Sequence, residues 1–197
     1  MKRSELKELH YITPIENVPS VMQHGILCKN RANKLNPASI AMKAIQALRA
    51  NKAVPGGLQI HEYANLYLCA RNPMMYVRSA KHVELCVLRI DTSVLDLKDV
   101  VIADSNAASR YTAFWPSPSG LEKVHGPWVF ADDWTDANQI TQWQKKAAKC
   151  AEVLVPSVVL PNKIIGAYVS CPESGQTLAA VGFNKSIVVY SHLFFRG

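Results

Sequence analysis

The chain has 197 residues, 49% of them hydrophobic and 19% charged, with a formal net charge of +7. This is the composition of one folded domain spanning residues 1–197, able to bury most of its unfolded surface unaided, and it excludes a disordered or low-complexity chain. No apolar run follows Met1-Lys2-Arg3-Ser4-Glu5, and no stretch reaches the ~18 apolar residues of a membrane span, so a cytoplasmic protein without a membrane partner is expected.

In chain order, Leu9 to Thr13 reads as a strand carrying polar side chains where a plain core strand would carry Val or Ile. Ile15 to His24 reads as a helix closed by Gly25, because glycine tolerates the left-handed cap. Asn36-Pro37 supplies a cap and a first-turn proline for a second helix reaching Asn51, with Arg49 in its last turn. Pro55-Gly56-Gly57 is a turn, His61 to Leu68 is extended, and Arg71 to Tyr76 begins a short helix. Val83–Thr92 and Val100–Ala103 are strands, and Trp115 to Gly120 is a surface loop. Thr135 to Lys149 is a helix capped by Thr135 or Asp136, followed by strands at 164–169 and 186–192 around a short helix after Pro172. Strands return repeatedly without regular alternation with helices, which gives an α+β fold.

Two features carry chemistry. From Asn17 to His61 the chain holds Lys29, Arg31, Lys34, Lys43, Arg49 and Lys52 and no Asp or Glu, a segment suited to a polyanion. Glu152 stands alone where the basic run Lys145–Lys149 enters the apolar Val153-Leu154-Val155. An isolated charge is costly to bury, so this carboxylate reads either as a site residue or as the exposed partner of Lys149. Arg49 by itself reads as a complement to a helix C-terminus.

Other chemistries lack their motifs. The five cysteines form no Cys-x-x-Cys pair and the histidines fall at no metal-ligand spacing, so no metal is expected. No phosphate-binding glycine motif and no Gly-x-Ser-x-Gly elbow occurs.

Several blocks, in order, nevertheless form a specific set. They are Leu9-His10-Tyr11-Ile12-Thr13 through Val21, Gly25-Ile26-Leu27, Ser39-Ile40-Ala41 leading to Arg49, His61 through Tyr76, Asp104-Ser105-Asn106-Ala107-Ala108, and Lys149 through Val155. Together they resemble the DarT family of DNA ADP-ribosyltransferases, toxins that use NAD to modify bases of single-stranded DNA. The resemblance implies a split central β-sheet flanked by helices, NAD as substrate, and a partner antitoxin bearing a macrodomain. It implies Glu152 and Arg49 as catalytic residues. It places His10, Tyr11, Ile12, Thr13, Ser20, Cys28, Arg49, Tyr67 and Met75 on NAD, with Lys29, Arg31, Lys34, Lys43 and Lys52 along DNA.

Family members commonly read Tyr-His-Ile-Thr where this chain reads His10-Tyr11-Ile12-Thr13. Strand side chains alternate faces, so His10 and Tyr11 do not both enter one cleft, and the role belongs to the segment. The divergence points to guanine over thymine as the acceptor. An ADP-ribosyltransferase acting on RNA or protein, and a non-catalytic basic nucleic-acid module, stay open as alternatives.

Overall fold

A computed structural model describes residues 1–196. The strands are β1 (Leu9–Pro14), β2 (Ile26–Leu27), β3 (Tyr63–Tyr67), β4 (Leu85–Ile90), β5 (Val101–Ala103), β6 (Phe114–Pro116), β7 (Glu152–Pro156), β8 (Val158–Val159), β9 (Ile164–Val169) and β10 (Ser186–Val189). The helices are α1 (Val18–His24), α2 (Lys29–Ala32), α3 (Lys43–Ala50), α4 (Pro73–Arg78), α5 (Gly126–Val129), α6 (Gln139–Ala148) and α7 (Pro172–Ala180). Eight strands form one sheet in the order β10-β9-β4-β1-β3-β7-β5-β6, and β2 pairs with β8 in a small second sheet. The fold is α+β with helices flanking the sheet.

The central strands are apolar on both faces, with Leu9, Leu66, Leu88, Ile90, Val153 and Ile164 fully buried, as expected where helices and loops cover the sheet. Each such side chain contributes about 1.5–3 kcal/mol of burial. The sheet is split at its centre. β1 pairs with β4 along its whole length, and β3 pairs with β7 along its whole length. Between β1 and β3 only His10↔Tyr67 is in register. From that pair the two halves diverge like a V.

The local signals err where side chains capture backbone. The second helix starts at Lys43, not at Asn36-Pro37. Asn36 takes left-handed geometry (φ 47°) as the cap of a preceding 3-10 turn, and the Asn17 amide bonds both backbone groups of Ala38, at 2.8 and 3.0 Å. Those contacts hold residues 37–42 out of the helix. Likewise α6 begins after Asn138, whose side chain caps Ile140 and Thr141; Thr135 and Asp136 serve turns ahead of it. Trp115 and Pro116, expected in a loop, lie in the edge strand β6. Gly25 does close α1, with φ 83°.

A polar cluster braces β1 against β4. Glu8, nearly buried, accepts from Arg89 Nε at 2.7 Å and lies 3.3 Å from His10 Nε2. Burial pushes the Glu8 carboxyl up, but hydrogen bonds from His10, Tyr168 and Arg89 outweigh it and hold the pKa at about 2, against an ordinary 4.5. Because the folded value is depressed, the stabilisation is complete above about pH 5 and is lost as the pH falls towards 2. Glu8→Gln is therefore expected to cost on the order of 2 kcal/mol at pH 7 and to flatten the acid limb of stability, read from thermal unfolding across a pH series.

Candidate active site

The wedge between β1 and β3 opens into a cavity of about 990 Å³. Its walls are Tyr11, Ile12, Thr13 and Ser20 on one side and Tyr63, Asn65 and Tyr67 on the other, with α3 and α6 closing the ends. That is the upper end of the roughly 300–1,000 Å³ that ligand pockets span, space enough for more than one reactant.

Glu152 opens β7 and is fully buried. Register sets it beside Tyr67 of β3 and Ala103 of β5. Ala103 carries only a methyl, and α3 supplies Arg49 to the carboxylate. Arg49 Nη2 donates to Glu152 Oε1 at 2.5 Å and to Asn106 Oδ1 at 3.2 Å. The backbone N–H of Ala107 donates to the same Glu152 oxygen at 3.2 Å. Glu152 Oε2 and Arg49 Nε are buried without partners. One carboxylate oxygen is thus fixed by two donors and the other keeps its hydrogen-bonding capacity.

Lys149 is also buried, but its ammonium turns to the Ala131 carbonyl and lies 3.9 Å from Cys69 Sγ, so the exposed Lys149–Glu152 pair does not form. Arg49 borders the cavity and bonds the carboxylate, whereas Glu152 is not among the cavity-lining residues.

The loop from β5 to β6 holds Asn106 in place. Asp104 Oδ1 accepts from the Ala113 N–H at 3.1 Å, Ser105 meets Thr112 at 2.8 Å, and Lys52 donates to the Ser109 carbonyl. Sequence reading quoted the Asp104–Ala108 block without giving Asn106 or Ala107 a role. Its signal is a short amide one residue ahead of small alanines, where a side chain can bond nearby backbone, as Asn106 Oδ1 does with the Ala108 N–H at 2.9 Å.

Burial leads the local electrostatics and the charges of the pair come next. Burial lowers the Arg49 pKa, but Glu152 more than restores it, and the guanidinium ends above its ordinary value. Burial and then Arg49 lower Lys52; burial, Arg49 and Lys29 lower His61, which borders the cavity with a buried, unpartnered Nε2. Burial, followed by the Glu152 charge, raises the Tyr67 phenol and moves the Cys150 thiol to about 12.

Of the expected NAD contacts, Tyr11, Ile12, Thr13, Ser20, Arg49 and Tyr67 border the cavity. Three do not. His10 lies against a separate cavity of about 300 Å³ beside Glu8. Cys28 is buried ahead of α2 with its N–H on the Ser157 carbonyl. Met75 is fully buried in an apolar cluster with Ile12 and Phe194. Alternation separates His10 from Tyr11 as expected, and it is Tyr11 that reaches the cleft. Among the DNA-directed cations, Lys29 borders the cavity and Lys34 and Lys43 are exposed. Arg31 bonds Ser157 Oγ at 2.8 Å, while Lys52, bonded to Ser109 and 4.9 Å over the Phe114 ring, anchors a loop. His61, Asn65, Trp143 and Lys146 border the cavity without having been singled out.

A sheet split over a cleft, with a buried glutamate at the head of a strand, defines the class of ADP-ribosyltransferase folds. Thermosipho africanus DarTG in complex with ADP-ribose superposes with a TM-score of 0.82 at 27% identity, over 96% of this chain and 51% of that one. Thermus sp. 2.9 DarT in complex with ADP-ribosylated ssDNA superposes with a TM-score of 0.83 at 20% identity, over 98% and 100%. The family model described as "ssDNA thymidine ADP-ribosyltransferase, DarT" matches residues 10–195, and the chain belongs to that family. A DNA ADP-ribosyl transferase-DNA ADP-ribosyl glycohydrolase fusion protein of Thermosipho africanus is 30% identical over 192 residues, which cover 93% of this chain. The chain spans 47% of that protein's length, about half.

Removing Arg49 strands a buried carboxylate. Arg49→Ala should lower stability by about 3–5 kcal/mol in denaturant unfolding, whereas the double replacement Arg49→Met, Glu152→Leu should recover most of the loss, because an apolar pair needs no desolvated charge.

Proposed function

We propose that this chain is the toxin of a toxin–antitoxin system, an NAD-dependent mono-ADP-ribosyltransferase acting on a base of single-stranded DNA and releasing nicotinamide. The observation that carries the reading is the Glu152 carboxylate, one oxygen fixed by Arg49 and Ala107 and the other unpartnered, at the head of β7 below the cleft. The unpartnered Oε2, the unpartnered Arg49 Nε and the size of the cavity fit NAD. NAD supplies a ribose carbon bonded to a positively charged nicotinamide leaving group.

Glu152 accepts a ribose hydroxyl at Oε2 and opposes the positive charge that grows on the sugar. At 4 Å such an attraction is worth about 1 kcal/mol in water and about 4 kcal/mol at an effective dielectric near 20, so the burial of Glu152 raises its value. Arg49 is the group that exchanges partners. Its planar fork, one arm now on Glu152, suits phosphate oxygens, and its shift from the carboxylate towards them uncovers the acid.

With its pKa raised, Arg49 keeps its proton and cannot serve as the base. We assign the proton leaving the acceptor nitrogen to His61, which borders the cleft with Nε2 buried and unpartnered and whose pKa burial and then Arg49 lower. Unpaired bases reach the site without the few kcal/mol needed to flip one from a duplex, which makes single strands the substrate. Exposed Lys34 and Lys43, with Lys29 at the rim, follow the phosphates.

Guanine is the acceptor favoured here, on the strength of Tyr11 standing where the family has histidine; the family description names thymidine. A macrodomain antitoxin that removes ADP-ribose completes the proposed system, in keeping with the glycohydrolase half named in the Thermosipho relative.

Incubation with NAD and single-stranded oligonucleotides that each lack one base should add one ADP-ribose by intact mass, and the oligonucleotide that stays unmodified identifies the base. Glu152→Ala should lose transfer by at least about 10²-fold. No mass gain on DNA, with gain on RNA or protein, would move the activity to another acceptor. Transfer should also fall as the pH drops through the His61 value, below the ordinary 6.5, and His61→Gln should remove that acid limb from the pH profile.

A further inference from the structure

The helix that leads into Glu152 carries an unpartnered apolar stripe. On α6, Ile140 and Trp143 are each 62% exposed. Trp143, Lys146, Ala147 and Cys150 all border the cleft. Trp143, Lys146 and Ala147, three and four residues apart, share one face of α6, and Cys150 follows just past its end. Trp143 stands at the outer end of that face, about 6 Å along the helix axis from Ala147. Lys146 stands one turn closer to Glu152 with its charge exposed.

Apart from Arg49, held by Glu152, the cavity lining carries Lys29, Arg78 and Lys146 against one acid, Glu16, so the exposed aromatic ring is set among net positive charge. Trp143 belongs to none of the apolar clusters of the core among the described residues. Its indole offers a flat apolar face, and the charge around it selects a polyanion over an apolar protein surface.

We propose that Trp143 is a stacking platform for a nucleobase next to the modified one, and that Lys146 contacts the intervening phosphate. The inference rests on the reading of single-stranded DNA as acceptor and adds to it the residues that position the strand. A base stacked on α6, the helix before β7, fixes which neighbour of the acceptor enters the cleft, so Trp143 sets sequence context while Glu152 performs the transfer. Every base has a π-face, so the preference follows stacking strength, purine over pyrimidine, rather than hydrogen-bond readout.

The test uses the whole chain with a short fluorescein-labelled single-stranded oligonucleotide and no NAD, so that binding is read by anisotropy without turnover. Trp143→Ala should weaken binding about ten-fold, and Trp143→Phe, which keeps an aromatic face, should recover most of it. Lys146→Ala should reduce the slope of log affinity against log salt by about one. In turnover assays Trp143→Ala should raise KM for the oligonucleotide far more than KM for NAD, a split that general damage to the fold would not produce. Unchanged oligonucleotide affinity in Trp143→Ala, with wild type still transferring ADP-ribose to DNA, would overturn the stacking role and leave the function intact. If wild type binds no oligonucleotide and modifies none, the function itself fails and the inference falls with it.

Discussion

A guanidinium and a carboxylate share one dry space between α3 and the head of β7, and the rest of the site is arranged around their contact. Neither side chain is stable there alone: burial opposes the charge on each, and their contact offsets it. The requirement propagates outward. The chain ordering residues 104–113 through side-chain bonds presents Asn106 to the guanidinium and the Ala107 N–H to the carboxylate, and Lys52 ties that loop to α3. Small Ala103, in register with Glu152, and Ala107, whose N–H the carboxylate accepts, lie beside the pair. The contact leaves one carboxylate oxygen and one guanidinium nitrogen without partners, so each side chain keeps hydrogen-bonding capacity to spare.

The strands were legible because their residues are apolar and β-branched regardless of context, as in Leu85–Ile90 and Val153–Val155. Glu152 was legible for the converse reason, a charge set where only apolar side chains fit. Helix starts were less so. Asn36-Pro37 and Thr135-Asp136 both have cap chemistry, yet Asn17, far off in sequence, takes the Ala38 backbone, and Asn138 outcompetes its neighbours at α6. Such outcomes depend on which side chains meet in space. His10, Cys28 and Met75 fell among expected ligands through the blocks that surround them. A resemblance in sequence carries a segment to a site without saying which of two alternating faces enters it.

Basic residues illustrate the same limit. The acid-free segment marks one wall of the cleft as positive, and Lys29, Lys34 and Lys43 keep that character. Lys52 and Arg31, equal to them in a charge count, are engaged with Ser109 and Ser157. Lys146 and Trp143 enter from a helix a hundred residues away. The electrostatic face of the site is therefore assembled by topology, from two parts of the chain that no single window would join.

The divergence of β1 from β3 has a meaning for how such a site changes over generations. Beyond His10↔Tyr67 no register pair joins the two strands, so the seam between them is bordered by main chain as well as side chains. Peptide N–H and C=O groups are the same whatever residue bears them, and buried ones demand partners. A ligand held along such a seam is gripped by a part of the protein that point mutation cannot rewrite. The side chains beside it are then free to change what the cleft accepts while the main-chain grip stays the same.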